Sequence, residues 1–330
     1  MNTDPWQREF DVALAALREA TLLARDIRED VGDRALLKPD RSPVTVADFA
    51  VQALVAYRLA KAFPDDPLVA EEDAATLRAS AGRSTLDAVL VALRRAMMGV
   101  NADCVLDLID RGRGAPGERF WTLDPVDGTQ GFVRGDQYVV ALALVIGGRA
   151  EIGLLGCPGL SLSNSPRHDV GAIACAVKNR GAFSVSIAGH EFVPLHVSSC
   201  REPRTARVLR SFEADHIDLD TFNEIVREVG VEAPPTLMDS QAKHATIAAG
   251  GADLLIRIPA APSYRDKIWD QAAGSLIIEE AGGQVTDLHG APLDFSTGRL
   301  MVHNDGVIAS NGHLHRAVVD AARRVMSKSL

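Results

Sequence analysis

The stretch TLDPVDGTQGF, Thr122 to Phe132, sets two carboxylates, Asp124 and Asp127, on either side of Pro125 and Val126. Hard divalent cations such as Mg2+ take oxygen ligands, and one aspartate can bridge two of them. A short turn that offers both carboxylates and the Val126 carbonyl between them suits such ions. Gly128 and Thr129 follow at once. Their backbone N–H groups can face an anion, with no side chain in the way at the glycine. Cation ligands, a turn and an anion cradle so close together are the ingredients of metal-assisted phosphoryl chemistry. There is no GxxxxGKS or GxxxxGKT run, so this is not the phosphate loop of nucleotide-hydrolysing motors.

Asp48, Glu71 and Asp270 also stand where strands or loops meet helices. Every one of these acids has a structural explanation as well. Asp48 and Asp270 suit helix N-caps, which accept backbone N–H bonds. Asp124 and Asp127 can brace a turn, and Glu71, Glu72 and Asp73 can form a solvated loop.

The elements that would position these acids follow from periodicity and turn residues. Phe10, Leu14, Leu17, Ala24 and Ile27 keep helical spacing, which predicts an amphipathic helix over about 6–30. Pro43 favours extended chain before a second helix that starts near Asp48 and ends around Phe63. LVAEED reads as a short strand running into acids. The 74–119 stretch reads as one helix, about 84–99, between loops. FWTLD is a strand leading into the acid turn, and QYVVALALVI and EIGLLGC form a hairpin across Gly147-Gly148. VGAIACAVKN, GAFSVSIAG and EFVPLHVSS extend the same antiparallel sheet. After about Ser198 strands and helices alternate: ARVLRSF, a helix near Leu219–Val229, another near Lys243–Ala249, the strand ADLLIRIP, the helix QAAGSLIIEEAGG and a last helix over about 312–326. The expectation is an α+β fold with helices layered on two sheets. It divides into an N-terminal α+β part (1–198) holding most of the acids and a C-terminal α/β part (199–330) holding Asp270.

Composition narrows the function classes. The 330 residues are 47% hydrophobic and 24% charged, as in an ordinary soluble protein. The formal net charge of −9 argues against a nucleic-acid or membrane-surface partner, since both need a basic face. A small anionic substrate remains compatible if local cations or metal ions override the global sign. Cys104, Cys157, Cys175 and Cys200 are scattered without a CxxC pair, which predicts reduced, mostly buried thiols. MNTDPWQREF shows no signal-peptide pattern, and the longest apolar run, Tyr138–Ile146, is too short for a membrane span. A soluble, cytoplasmic protein is expected, with oligomeric state left open.

DPVDGTQGF resembles the DP(I/V)DGT signature of the inositol monophosphatase superfamily, the Mg2+-dependent, lithium-sensitive phosphatases. WDQAAG at 269–274, followed by EEAGG at 279–283, resembles a second signature of that superfamily. VAEED and the TxxD of Thr45–Asp48 resemble two more, and all four stand in family order. The resemblance implies the layered α/β/α/β/α sandwich of the sugar phosphatases, two sheets with helices between and outside. FVRGDQYVVALALV, SPVTVAD, MDSQAKHATIAAGGADLLIRIP, SYRDKIWDQAAG, APLDFSTGR and GVIASNG look like one branch, the 3′(2′),5′-bisphosphate nucleotidases.

That likeness implies a ligand set for two or three Mg2+ ions: Glu71, Asp124, Asp127, the Val126 carbonyl and Asp270. It implies that Asp48 and Thr129 form a hydrogen-bonded pair taking a proton from the attacking water. It further implies that the Gly128 and Thr129 amides hold the scissile phosphate, and that Ser240, Lys243, Arg257 and His216 hold the nucleotide. Lys38 would contact the site through water. The structural alternatives for Lys243 and Arg257 are a surface-helix lysine and a strand-end ion pair. Two positions depart from the branch pattern: Gln130 replaces a lysine and His244 a tyrosine. The activity implied is removal of the 3′-phosphate of 3′-phosphoadenosine 5′-phosphate, and also attack on the 5′-phosphosulfate form. An inositol phosphate phosphatase and a non-catalytic nucleotide or metal sensor are the alternatives.

Overall fold

The run VVALALVI shows why the chain builds layers. It is apolar on both faces of a strand, so it must be covered on both. In the computed structural model, which describes residues 5–31, 46–94, 96–162, 171–212, 217–261 and 263–328, Val140, Leu142 and Leu144 enter one core. Val139, Ala141, Ala143 and Val145 enter another, the period-two alternation of a pleated strand.

Two sheets carry the fold. The first contains β1 (Leu68–Ala70), β2 (Arg119–Asp127), β3 (Val139–Ile146), β4 (Arg149–Cys157), β5 (Ala172–Val177), β6 (Ala182–Ser186) and β7 (Val193–Leu195) in sequence order. β1 pairs parallel to β2, and all later neighbours are antiparallel. The second contains β8 (Val208–Arg210), β9 (Thr236–Leu237), β10 (Leu254–Arg257), β11 (Gln284–Thr286) and β12 (Val307–Ser310), in spatial order β11-β12-β10-β8-β9. The helices are α1 (Gln7–Val31), α2 (Val46–Ala62), α3 (Ala75–Arg78), α4 (Arg83–Leu93), α5 (Ala102–Asp110), α6 (Thr129–Arg134), α7 (Leu219–Val229), α8 (Ala242–Ala248), α9 (Ala272–Glu280) and α10 (His315–Lys328).

Three cores stack these elements into five layers. Leu17 of α1, Leu54 of α2, Leu93 of α4 and Ile109 of α5 pack on one face of the first sheet. Ala245 of α8 and Leu276 of α9 lie between the sheets, against Leu155 on one side and Leu255 and Ala309 on the other. Phe222 of α7 and Val318 of α10 close the outer face of the second sheet on Val208, Leu254 and Ile308. The result is an α/β/α/β/α sandwich. Among the described residues no helix is long and apolar enough to cross a membrane.

Some local expectations shift. The helix expected over 84–99 stops at Leu93, and α5 fills what read as loop; Asn101 starts it by accepting from the Cys104 N–H at 2.9 Å. Cys157 and Cys175 are buried as expected, whereas Cys104 is exposed and Cys200 half-buried. β2 does not end at Asp124 but continues through the acid turn to Asp127.

Candidate active site

The acid turn is a β-bulge. Asp124 pairs with Ala141 and Asp127 with Val139, so three steps along β2 match two along β3 and the register slips. A bulge bends a strand and re-aims its side chains, and here Asp124, Val126 and Asp127 all face one cavity. Gly128 then takes φ +87° and ψ 45°, a left-handed conformation that starts α6. A Cβ there would lie 2.8 Å from Ser240 Cβ and 3.2 Å from the Gln137 carbonyl oxygen. Both its conformation and its close neighbours therefore require glycine. Thr129 Oγ1 donates to the Val126 carbonyl oxygen at 3.2 Å, closing the turn on itself.

The segment before α8 docks onto this turn. The Gln241 N–H donates to Asp127 Oδ2 at 2.6 Å, Gln241 Nε2 donates to the Trp269 carbonyl at 3.0 Å, and the Gly274 N–H donates to Gln241 Oε1 at 3.1 Å. One buried glutamine thus ties the β2 acids to the Asp270 segment. Ser240 stands at φ +59°, its hydroxyl donating to the Asp239 carbonyl and accepting from the Ala242 N–H. Asp239 is gripped by Arg134, which also lies 4.5 Å from the Phe212 ring centroid.

The cavity, about 320 Å³, gathers most of the expected site residues: Glu71, Asp124, Val126, Asp127, Gly128, Thr129, Ser240, Lys243, Arg257 and Asp270. Asp48, not among the residues that line the cavity, is buried in the first turn of α2, close enough to act electrostatically on Asp124 and Glu72. Lys38, Thr45 and His216 fall outside the described residues. Lys243 is no surface lysine: it is 7% exposed and donates to the Met238 carbonyl at 3.1 Å. Arg257 does form a strand-end ion pair, with Asp266 at 2.6 Å, yet faces the cavity as well. Asp270 caps its own turn, accepting from the Lys267 N–H at 3.3 Å.

Burial dominates the electrostatics. It raises the Asp124 carboxyl well above the usual carboxylate range, with Glu71 and Asp127 adding repulsion. Burial also raises Glu71 and Asp127 against the pull of Lys267 and Lys243 respectively. Asp270 is pushed up to about 7 by burial, although Arg257 opposes the shift. Burial lowers Lys243 to about 8, partly offset by Asp127, and His244 to about 3, so the imidazole is neutral.

This donor set fits a hard divalent cation. Asp124 Oδ1 is buried without a hydrogen-bond partner, a costly state that an ion would relieve. The cavity is lined by five carboxyl groups (Glu71, Asp124, Asp127, Asp239, Asp270) against three cationic side chains (Lys243, Arg257, Lys267). An anionic substrate would meet that excess unless cations compensated it. Among the described residues no three acid, imidazole or thiol groups are already gathered tightly enough to hold an ion.

Several cavity residues carry no motif by themselves. Gln241 and Asp239 are brought in by the approach of α8, and Tyr264 and Lys267 by the loop after β10. His244 packs against Gly274, where a Cβ would lie 2.6 Å from its ring. Neither of its nitrogens has a hydrogen-bond partner, nor does Gln271 Oε1 beside it on the cavity wall.

A bulged strand of a five-layer sandwich presents carboxylates to a mixed-charge cavity. The model of the inositol monophosphatase family matches residues 6–327, and the chain belongs to that family. It is 39% identical over 339 residues to the 3′(2′),5′-bisphosphate nucleotidase of Schizosaccharomyces pombe, covering 97% of this chain and 96% of that one. It is 37% identical to the 3′(2′),5′-bisphosphate nucleotidase of Oryza sativa, over 97% of this chain and 95% of the relative. Among solved structures, the Thermotoga maritima IMPase superposes with a TM-score of 0.65 at 22% identity, covering 97% of this chain and 98% of its own. The inositol monophosphatase of Anabaena gives 0.64 at 20% identity, covering 97% of each chain.

Proposed function

We propose that this chain is a cytoplasmic Mg2+-dependent 3′(2′),5′-bisphosphate nucleotidase. It hydrolyses 3′-phosphoadenosine 5′-phosphate to AMP and phosphate and acts also on the 5′-phosphosulfate form. The observation that carries the reading is the mixed lining of one cavity. Four carboxyl groups (Glu71, Asp124, Asp127, Asp270) and two cationic side chains (Lys243, Arg257) share one space of about 320 Å³. A nucleotide with two separate anionic groups gives both sets a partner, whereas a monophosphate needs only the first. The names of the relatives support the same substrate class.

In this reading Glu71, Asp124, Asp127, the Val126 carbonyl and Asp270 hold two or three Mg2+ ions. When bound, Mg2+ supplies an acidified water and neutralises charge on the phosphoryl group and the leaving oxygen. The chain positions the rest. The Gly128 and Thr129 amides orient the scissile phosphate, and Lys243 and Arg257 clamp the distal phosphate. Ser240, locked by its two hydrogen bonds, shapes the cavity wall. Asp48 and Thr129 take the proton from the attacking water, which requires the Thr129 hydroxyl to turn from Val126 toward Asp48. The water oxygen bonds to phosphorus, the bond from phosphorus to the ribose oxygen breaks, and that oxygen keeps the electron pair and takes a proton from solvent water to become the hydroxyl of AMP. Positioning and charge neutralisation, rather than covalent catalysis, then account for the rate.

The test is a phosphate-release panel with the bisphosphate nucleotide, the phosphosulfate nucleotide, inositol phosphates and fructose bisphosphate, each with and without Mg2+. Fast Mg2+-dependent release from the bisphosphate nucleotide is expected. Preferential release from an inositol phosphate would replace the proposal with that activity. Absence of release from every substrate would leave a binding protein.

A further inference from the structure

Glu71 follows β1 in the first sheet, while Asp270 precedes α9 between the sheets, so some contact must set the distance between them. Arg299 is placed to do this. Its backbone runs antiparallel to the segment just before Asp270: the Ile268 N–H donates to the Arg299 carbonyl at 3.1 Å, and the Met301 N–H donates to the Asp266 carbonyl at 2.9 Å. Lys267 and Leu300 form the bridge between these two bonds. From that seat the guanidinium reaches across to the first sheet. Nη1 donates to the Gly112 carbonyl at 3.2 Å and Nη2 to the Ala70 carbonyl. The Gly112 carbonyl also accepts the Ala70 N–H at 2.8 Å, so both partners belong to one small patch at the end of β1. The guanidinium meanwhile lies 4.6 Å from the centroid of the Trp269 ring.

Ala70 is the residue before Glu71, and Trp269 is the residue before Asp270. We infer that Arg299 is a positioning residue that sets the separation of Glu71 and Asp270 and thereby the affinity of the site for Mg2+. The inference rests on the metal reading above. Arginine suits the task because its planar fork serves two carbonyls and an aromatic face at once, while lysine offers a single point charge. Groups that orient ligands from outside the coordination shell commonly change metal affinity by roughly 10–100-fold when lost.

The test compares the whole chain with R299Q and R299K by calorimetric titration with Mg2+ alone, alongside the Mg2+ dependence of phosphate release. R299Q is expected to bind Mg2+ at least roughly tenfold more weakly, with R299K between it and the parent. The half-saturating Mg2+ for turnover should rise in parallel, while the nucleotide KM at saturating Mg2+ stays within about twofold. R207Q, which breaks an ion pair to the buried Asp253 away from the cavity, controls for lost stability and should leave Mg2+ affinity unchanged. Should R299Q fail to fold, the R299K titration decides. Mg2+ affinity equal to the parent in the variants overturns the inference alone. A parent protein that binds no Mg2+ overturns it together with the metal reading.

Discussion

Gly128→Ala is the most demanding perturbation of the acid turn, because its cost has two separable sources. Gly128 holds φ +87°, and an alanine in the left-handed region costs roughly 1–2 kcal/mol. Its Cβ would also stand 2.8 Å from Ser240 Cβ, about 0.7 Å inside the closest favourable carbon–carbon distance. Ser240 cannot easily yield, since its hydroxyl donates to the Asp239 carbonyl and accepts from the Ala242 N–H, and its own φ is +59°. Relieving such overpacking costs about 1–3 kcal/mol, giving a total of roughly 2–5 kcal/mol. Strain that moves α6 instead displaces the amides proposed to hold the phosphate, and a shift near 1 Å can cost on the order of 10²-fold in rate. Gly99→Ala separates the two sources: φ there is +76°, with nothing within 4 Å of the added carbon. Chemical denaturation and phosphate release are the assays. G99A is expected to lose only the conformational part and keep its activity. G128A should lose more stability and most of its kcat/KM. Similar stability losses for the two variants, with activity retained in G128A, would refute the steric argument.

Other expectations test the charges. Asp124→Asn should retain the fold by circular dichroism yet lose Mg2+-dependent phosphate release by at least roughly 10³-fold, because it removes a proposed ligand and its charge together; near-parent turnover would remove Asp124 from the metal set. Lys243, lowered to about 8 by burial, is cationic below that pH and neutral above it, so KM for the bisphosphate nucleotide should climb between pH 8 and 9.5 and level off in K243M. The same depressed value means that the folded chain binds fewer protons than the unfolded one between about 8 and the ordinary lysine value, so stability without substrate should rise with pH in that window. Gln130→Lys adds a cation to the exposed rim of the cavity and should lower that KM by about two- to fivefold at low salt, fading as ionic strength rises. Millimolar Li+ should inhibit turnover by competing for a Mg2+ position, seen as relief of inhibition on adding Mg2+.

Much of this architecture was legible where chemistry and periodicity coincide. The acid turn carries its own signature, two acids around a proline with a glycine after, although the strand pairing that makes it a bulge does not show. The apolar runs of β3 and β4 demand cover on both faces. Helix α7 shows its ends openly: Asp218 caps it through the Thr221 N–H at 3.0 Å, and Gly230 closes it at φ +86°. Short elements escaped for a physical reason. β9 spans two residues and β11 three, too few to show a period, so only pairing with β8 and β12 defines them. α5 hides its apolar stripe, Val105, Leu106 and Ile109, in nine residues among acids.

The site divides in the same way. Asp124, Asp127 and Asp270 announce themselves by local motif, whereas Gln241, Asp239 and Arg299 act through partners 28 to 229 positions away. Gln52 is a further case: a glutamine inside an ordinary helix that proves fully buried, with its amide bonded to both the N–H and the carbonyl of Glu72. Nothing local marks such a residue, because its role is created by what packs against it. The pairing of Asp48 with Thr129 comes from motif resemblance alone. The Thr129 hydroxyl here donates to the Val126 carbonyl.

The most direct test is to hydrolyse 3′-phosphoadenosine 5′-phosphate in 18O-enriched water with Mg2+ and follow both products by mass spectrometry and 31P NMR. A water attacking the 3′-phosphorus predicts one 18O in the released phosphate and unlabelled AMP, with release abolished when Mg2+ is withheld. Label in the AMP hydroxyl, adenosine 3′-phosphate as product, or equal turnover without Mg2+ would contradict the proposed roles of the acid turn.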